Sequence, residues 1–182
     1  MLVSGQAAPL YAVANVNGLE QINLQVPFEL VGVDNANITV ERDGLASAPI
    51  TVPVAASAPG IFVMNGRDAI VVRNSDNSLA TRDRPVRRTE FVYLYATGLG
   101  AVENTPATGQ AAPAALLSRA LLPTGITLGG VRCEVLYAGL APGFVGVFQL
   151  NIQVSAQAAT GAQDIVVVSG GVSGRAATVY VE

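Results

Sequence analysis

The sequence predicts an all-β protein of two tandem β-sandwich units, the first lacking its opening strands. Three observations carry that expectation. Leu10-Tyr11-Ala12 followed by Gln21-Ile22-Asn23-Leu24-Gln25-Val26-Pro27 returns as Leu136-Tyr137-Ala138 followed by Gln149-Leu150-Asn151-Ile152-Gln153-Val154-Ser155. Ile38-Thr39-Val40 with Gly44 returns in the same order as Ile165-Val166-Val167 with Gly170 and Gly171. Blocks repeated in one order at a nearly constant offset mark a duplicated unit. Composition is the second observation: charged residues make up only 13%, with 19 Gly, 10 Pro and abundant Val and Ile. That is a strand-and-turn composition, poor in the residues that coat exposed helices. Third, turn signals recur about every 8–12 residues, the spacing of a sandwich or barrel rather than of a parallel α/β sheet.

The elements follow in order. Residues 20–27 alternate amides (Gln21, Asn23, Gln25) with apolar side chains (Ile22, Leu24, Val26), which predicts a half-buried strand closed by Pro27. Residues 37–54 read as a hairpin turning at Asp43-Gly44, and residues 61–72 as a second one turning at Asn65-Gly66. Residues 73–90 are polar and Arg-rich, the pattern of a linker. Division of the chain into a first unit at 1–85, with its hairpin and linker, and a complete second unit at 86–182 follows. The second opens with Phe91-Val92-Tyr93-Leu94-Tyr95-Ala96. A loop spans 103–115, Leu116–Leu122 has room for one helical turn, and strands follow at 126–128, 131–137, 147–154, 164–168 and 176–181.

The two copies are unequal. Ahead of Tyr137 the second carries the strands 91–96 and 126–128, and the first has no counterpart ahead of Tyr11. Such a unit leaves an unpaired edge and an uncovered core. Either the chain is cut from a longer protein, which is the favoured expectation, or another chain fills the gap by strand donation.

Absences bound the chemistry. There is no His, which excludes Ser-His-Asp and Cys-His catalysis and the usual base near neutral pH. All ten basic residues are Arg, so Schiff-base chemistry and Lys–Asn cross-links are excluded. The one cysteine, Cys133, allows neither an internal disulfide nor a cysteine-built zinc site. The net charge of −3 argues against nucleic acid as a partner. No apolar run reaches the roughly 20 residues of a membrane span. Residues 1–27 lack the pattern of a signal peptide, leaving a cytoplasmic chain or a piece of something longer.

Candidate sites are few. Asn74, Asp76 and Asn77 supply oxygen ligands suited to calcium, without EF-hand spacing, and Asx-rich turns form readily without metal. Arg82, Arg84, Arg87 and Arg88 form a basic patch that suits an acidic polysaccharide or another subunit, or a solvated linker. Phe144 and Phe148 lie in the Gly-rich stretch 139–148, which is either an exposed partner loop or a bulged crossover with both rings in the core. The amides at 21, 23 and 25 and at 149, 151 and 153 suit a ligand surface or a structural ladder. The 13 acidic residues are scattered, with no strand-end pair of the glycosidase kind.

Tyr137 to Val154 (YAGLAPGFVGVFQLNIQV), together with Ala8-Pro9-Leu10, Gln21–Pro27, Ala58-Pro59-Gly60-Ile61-Phe62 and Tyr93–Gly100, carry a resemblance that covers nearly the whole chain. It is similar to the C-terminal domain family of secreted proteins abundant in Solibacter and other acidobacteria. The resemblance implies tandem Ig-like units of the IPT/TIG type, an extracellular or cell-surface location, and a place at the end of a large exported protein. The family offers no catalytic residue and no cofactor to carry over. Ser155 stands where it usually has Pro, and Arg87-Arg88 where it tends to have a small residue and Gly. The expected function is a non-catalytic structural or adhesive module: a spacer, docking unit or filament subunit. Its partners would be neighbouring protein domains, or further copies joined through an open strand edge. The alternative is a carbohydrate-binding module of an exported enzyme, which the absence of Trp disfavours.

Overall fold

The computed structural model describes residues 1–182 and is all-β apart from one 3-10 turn at Phe28–Leu30. Its larger body is one eleven-stranded sheet folded onto itself. The path runs Val63–Met64, Asp68–Ala69, Ala177–Val181, Gly161–Ser169, Thr124–Leu128, Val131–Leu140, Phe148–Gln153, Phe91–Thr97, Val71–Arg73. Two short strands flank it: Val172–Ser173 on Gly161–Ser169, and Gly60–Ile61 on Phe91–Thr97.

Two segments change layers and so close the sheet into a near-barrel. The beginning of Val131–Leu140 pairs with Thr124–Leu128, its remainder with Phe148–Gln153, and a bulge between Val135 and Tyr137 bends it at the corner. On the opposite side Asp68 pairs in parallel with Thr178, while Val71–Arg73 pair antiparallel with Val92–Leu94. Strict alternation fills the inside. Val92, Leu94 and Ala96 point in from one strand, Leu150 and Ile152 from the next, and all five are at most 2% exposed. Each large aliphatic side chain so buried contributes roughly 1.5–3 kcal/mol.

The smaller body, residues 1–54, is an open layer. Its four-stranded sheet has the order Gln6–Ala7, Leu2–Val3, Asn35–Thr39, Ile50–Pro53. Beside it stands the hairpin Leu10–Val16/Leu19–Leu24, turning at Asn17 (φ 53°) and Gly18 (φ 84°), the two left-handed positions of a type I′ turn. A short hairpin, Glu41–Arg42/Leu45–Ala46, turns at Asp43-Gly44 as expected. Its buried apolar cluster is four residues: Val3, Ala8, Leu30 and Ala36.

The sequence repeat is a repeat of strand pairing. Val3 lies opposite Gln6 and Ile38, as Leu128 lies opposite Val131 and Ile165. Asn37 opposes Thr51 as Asp164 opposes Thr178. Leu10 opposes Leu24 with a bulge following, as Val135 opposes Ile152 with a bulge following. The bulge puts Tyr11 at the place of Leu136, one residue away from the match with Tyr137 that the sequence suggests.

The all-β, sandwich-like architecture agrees with expectation, built here as one near-barrel sheet and one open layer. Three expectations change. The division at 85/86 cuts through the larger body, because residues 60–73 pair with Phe91–Thr97 and put Ala69, Val71 and Val72 in or beside its core. Residues 73–90 are not a linker, since Val86 is 0% exposed and Arg73 6%. No helical turn forms at Leu116–Leu122, where Ala120 bridges to Val102 and Arg119 to Gly139. The connection between the bodies is itself packed. Ser57 Oγ donates to Ser169 O at 2.8 Å, and Ala58 N to Gly98 O at 2.9 Å. A Cβ on Gly98 would stand 2.0 Å from Ala58 O, so only glycine fits there.

Candidate functional site

The open layer presents the most unusual surface. Leu19–Leu24 pairs on one side with Leu10–Val16 and on the other with nothing. Its equivalent, Phe148–Gln153, pairs on that other side with Phe91–Thr97 across six registers. All of Leu10–Val16 is exposed, Val13 to 69%. Along the same hairpin Leu19 is 74% exposed and, just past its end, Val26 58%. Apolar side chains collected along an unpaired edge form a ready place for another strand.

The root of this hairpin is held by the larger body. Tyr11 donates its hydroxyl to Val145 O, Gly109 N donates to Gln25 Oε1 at 2.8 Å, and Phe28 N donates to Thr108 Oγ1 at 3.0 Å. Thr108 Oγ1 in turn donates to Glu29 Oε2 at 2.7 Å, which lowers the Glu29 pKa. Gln25, expected in a solvent-facing ladder, is therefore a buried joint at 4% exposure. Tyr137 is also buried, and desolvation raises its pKa. Its hydroxyl donates to Leu140 O at 2.8 Å.

The arginine patch resolves into an internal network organised by Arg73, which the sequence reading passed over. Arg73 Nη1 donates to both oxygens of Glu90 at 2.5 and 2.6 Å, and Nη2 donates to Arg84 O and Pro85 O. Arg84 pairs with Asp76 at 2.9 Å, Arg87 with Glu182 at 2.8 Å, and Arg88 Nε donates to Ala158 O at 2.8 Å. Arg82 is exposed and makes no ion pair. In the cleft of about 240 Å³ between Arg73, Arg84, Arg87, Asp83, Glu90 and Glu182, every arginine thus already has an acidic partner.

Two of the three candidate calcium ligands, Asp76 and Asn77, already have partners, while Asn74 is held through its backbone N–H to Phe91 O. Asp76 accepts from Ser78 Oγ at 2.6 Å, from Ser78 N and from Arg84, which together hold its carboxyl at about 2. Asn77 Oδ1 accepts from Tyr93. A guanidinium already occupies the place a cation would take.

The two phenylalanines part company. Phe148 is 5% exposed and lies in the core, so it is no partner residue. Phe144 is 49% exposed and packs on Tyr95 at 5.6 Å between ring centroids, with Tyr93 a further 5.8 Å along. Gln149 and Asn151 lie opposite Tyr95 and Tyr93 on the neighbouring strand, giving an outer face of aromatic rings and amides. The period-two alternation of 91–97 against 149–153 was the signal for this face. The Asn17-Gly18 pair was the signal for the open hairpin.

No protein-family model, no curated protein and no solved structure matches this chain.

Proposed function

We propose that the chain is a non-catalytic structural or adhesive module of a larger exported bacterial protein, located outside the cell or on its surface. In this reading it is two Ig-like units of the IPT/TIG type, the second closed and the first awaiting completion. It works as a spacer, docking unit or filament subunit by engaging neighbouring protein domains or further copies. One observation carries the reading: two regions share their strand registers, yet one buries the side chains that the other leaves open beside an unpaired edge. Evolving such an edge without covering it invites association. The absence of His and Lys, and carboxylates tied to arginines, support a role without turnover. Light scattering and negative-stain microscopy of the purified chain test it, together with a panel of glycoside, ester and peptide substrates. Absence of turnover is the expected result, and assembly with rising concentration would mark the filament form of the module. Turnover abolished by one carboxylate substitution overturns it.

A carbohydrate-binding module is the second reading, favoured by the Tyr93, Tyr95 and Phe144 rings flanked by Gln149 and Asn151. The rings stand at 79° and 47° to one another, so they suit a twisted glycan chain better than a flat one. A glycan array checks it: binding that Tyr95→Ala weakens about tenfold supports it, at roughly 1–1.5 kcal/mol per ring contact, and an array without binders retires it.

A further inference from the structure

The opening in the smaller body has a template inside the same molecule. Leu24 and Ile22 stand where Ile152 and Leu150 stand in the larger body. Those two face Val92 and Leu94 across the sheet and are 1% and 0% exposed. Ile22 and Leu24 themselves are only partly buried. What covers this surface is therefore legible from its duplicate.

We propose that Leu19–Leu24 accepts one extended strand from outside residues 1–182 of the same molecule, antiparallel to it, with the side-chain pattern of Phe91–Thr97. The proposal rests on the structural-module reading and names its partner. Main-chain hydrogen bonds along the free edge supply affinity, and alternate side chains supply register. Inward residues opposite Leu24 and Ile22 are branched aliphatics, as Val92 and Leu94 are. Outward residues cover an amide pair built identically in both regions: Gln21 Nε2 donates to Asn23 Oδ1 at 2.6 Å, Gln149 Nε2 to Asn151 Oδ1 at 2.8 Å. Tyr93 and Tyr95 are the residues opposite that pair in the closed copy.

One departure tunes the partner. Glu20 stands at the place of Phe148, and its only cation, Arg42, sits 3.4 Å away with both side chains about three-quarters exposed. The incoming strand therefore places a polar or basic residue there, where the closed copy has Ala96. The acceptor is preformed, because Tyr11, Gln25 and Phe28 already fix the hairpin root. A second copy of this chain fits less well. Donating its own Phe91–Thr97 would open a core in which Leu94 is 0% exposed. Two Leu19–Leu24 edges joined about Ile22 would set each Glu20 against Leu24 of the other copy.

A labelled peptide of sequence Phe91–Gly100 with a solubilising tail, titrated into the full chain, tests this by anisotropy and hydrogen exchange. Saturable binding is expected, with exchange slowed about tenfold or more at Leu19–Leu24. A scrambled peptide should not bind. Ile22→Asp should weaken binding at least about tenfold, while Val172→Asp on the larger body leaves it unchanged. Two results overturn the proposal: no protection of Leu19–Leu24 at saturating peptide, or protection that rises with the chain's own concentration and no peptide. Either would leave the module reading intact, since that is decided by turnover.

Discussion

Leu150 and Ile22 occupy the same register in two copies of one strand pairing, and one is sealed while the other is only partly buried. The difference lies in what stands beside each strand. Phe91–Thr97 covers one edge of Phe148–Gln153, and nothing covers the matching edge of Leu19–Leu24. Hydrogen-bond register is thus a local property of the repeated blocks, whereas burial is supplied by elements that only the larger body has.

The sharpest way to break this comparison is a matched pair of truncations. Leu150→Ala should cost about 3–4 kcal/mol in urea unfolding, and Ile22→Ala no more than about 1 kcal/mol. Equal losses would mean the open layer is packed as well as the closed one. Next comes Arg73→Ala, which strands Glu90 among buried groups and frees the 84–90 loop. A loss of about 3 kcal/mol is expected, measured in the same way. Hydrogen exchange sharpens the contrast without mutation. Amides of Phe148–Gln153 should exchange at least about a hundredfold more slowly than those of Leu19–Leu24. Cys133 separates the regions chemically, because burial raises its thiol pKa. Iodoacetamide should label it only when the larger body unfolds, at higher urea than the first exchange of the smaller body.

The smallest effect is at Asp76. Its carboxyl titrates near 2 when folded against an ordinary value of 3.8. Its contribution is therefore complete above about pH 4 and is lost as pH falls toward 2. A carboxyl-carbon NMR titration with a midpoint near 3.8 would show that Ser78 and Arg84 do not engage it.

Much of the architecture could be read before any coordinates. Strands at 91–97, 124–128, 148–153, 161–169 and 177–181 follow apolar alternation, and Asp43-Gly44 and Asn65-Gly66 turn where left-handed residues are required. The failures have physical causes. The 73–90 segment reads as solvated because arginine is normally exposed, yet one buried Arg73–Glu90 pair draws it into the body. Short strands such as Gly60–Ile61 and Asp68–Ala69 owe their pairing to distant partners, so no local pattern announces the true start of the larger body. Of the candidate residues, Phe144 was placed on the surface and Phe148 inside by a period that alternation past Gly146 does not reveal. The unequal copies make the open edge legible, whereas Gln25 as a joint is not, since its partner Gly109 lies 84 residues away in a loop.

The clamp at Ser57, Ala58 and Gly98 bears on mechanics. A chain joined by a slack tether would let its halves swing independently under load. Here the joint is held by one side-chain and one backbone hydrogen bond beside a close backbone approach at Gly98, and traction applied to the hairpin would pass directly into the barrel wall as shear. Whatever grips the open side therefore pulls on a stiff lever.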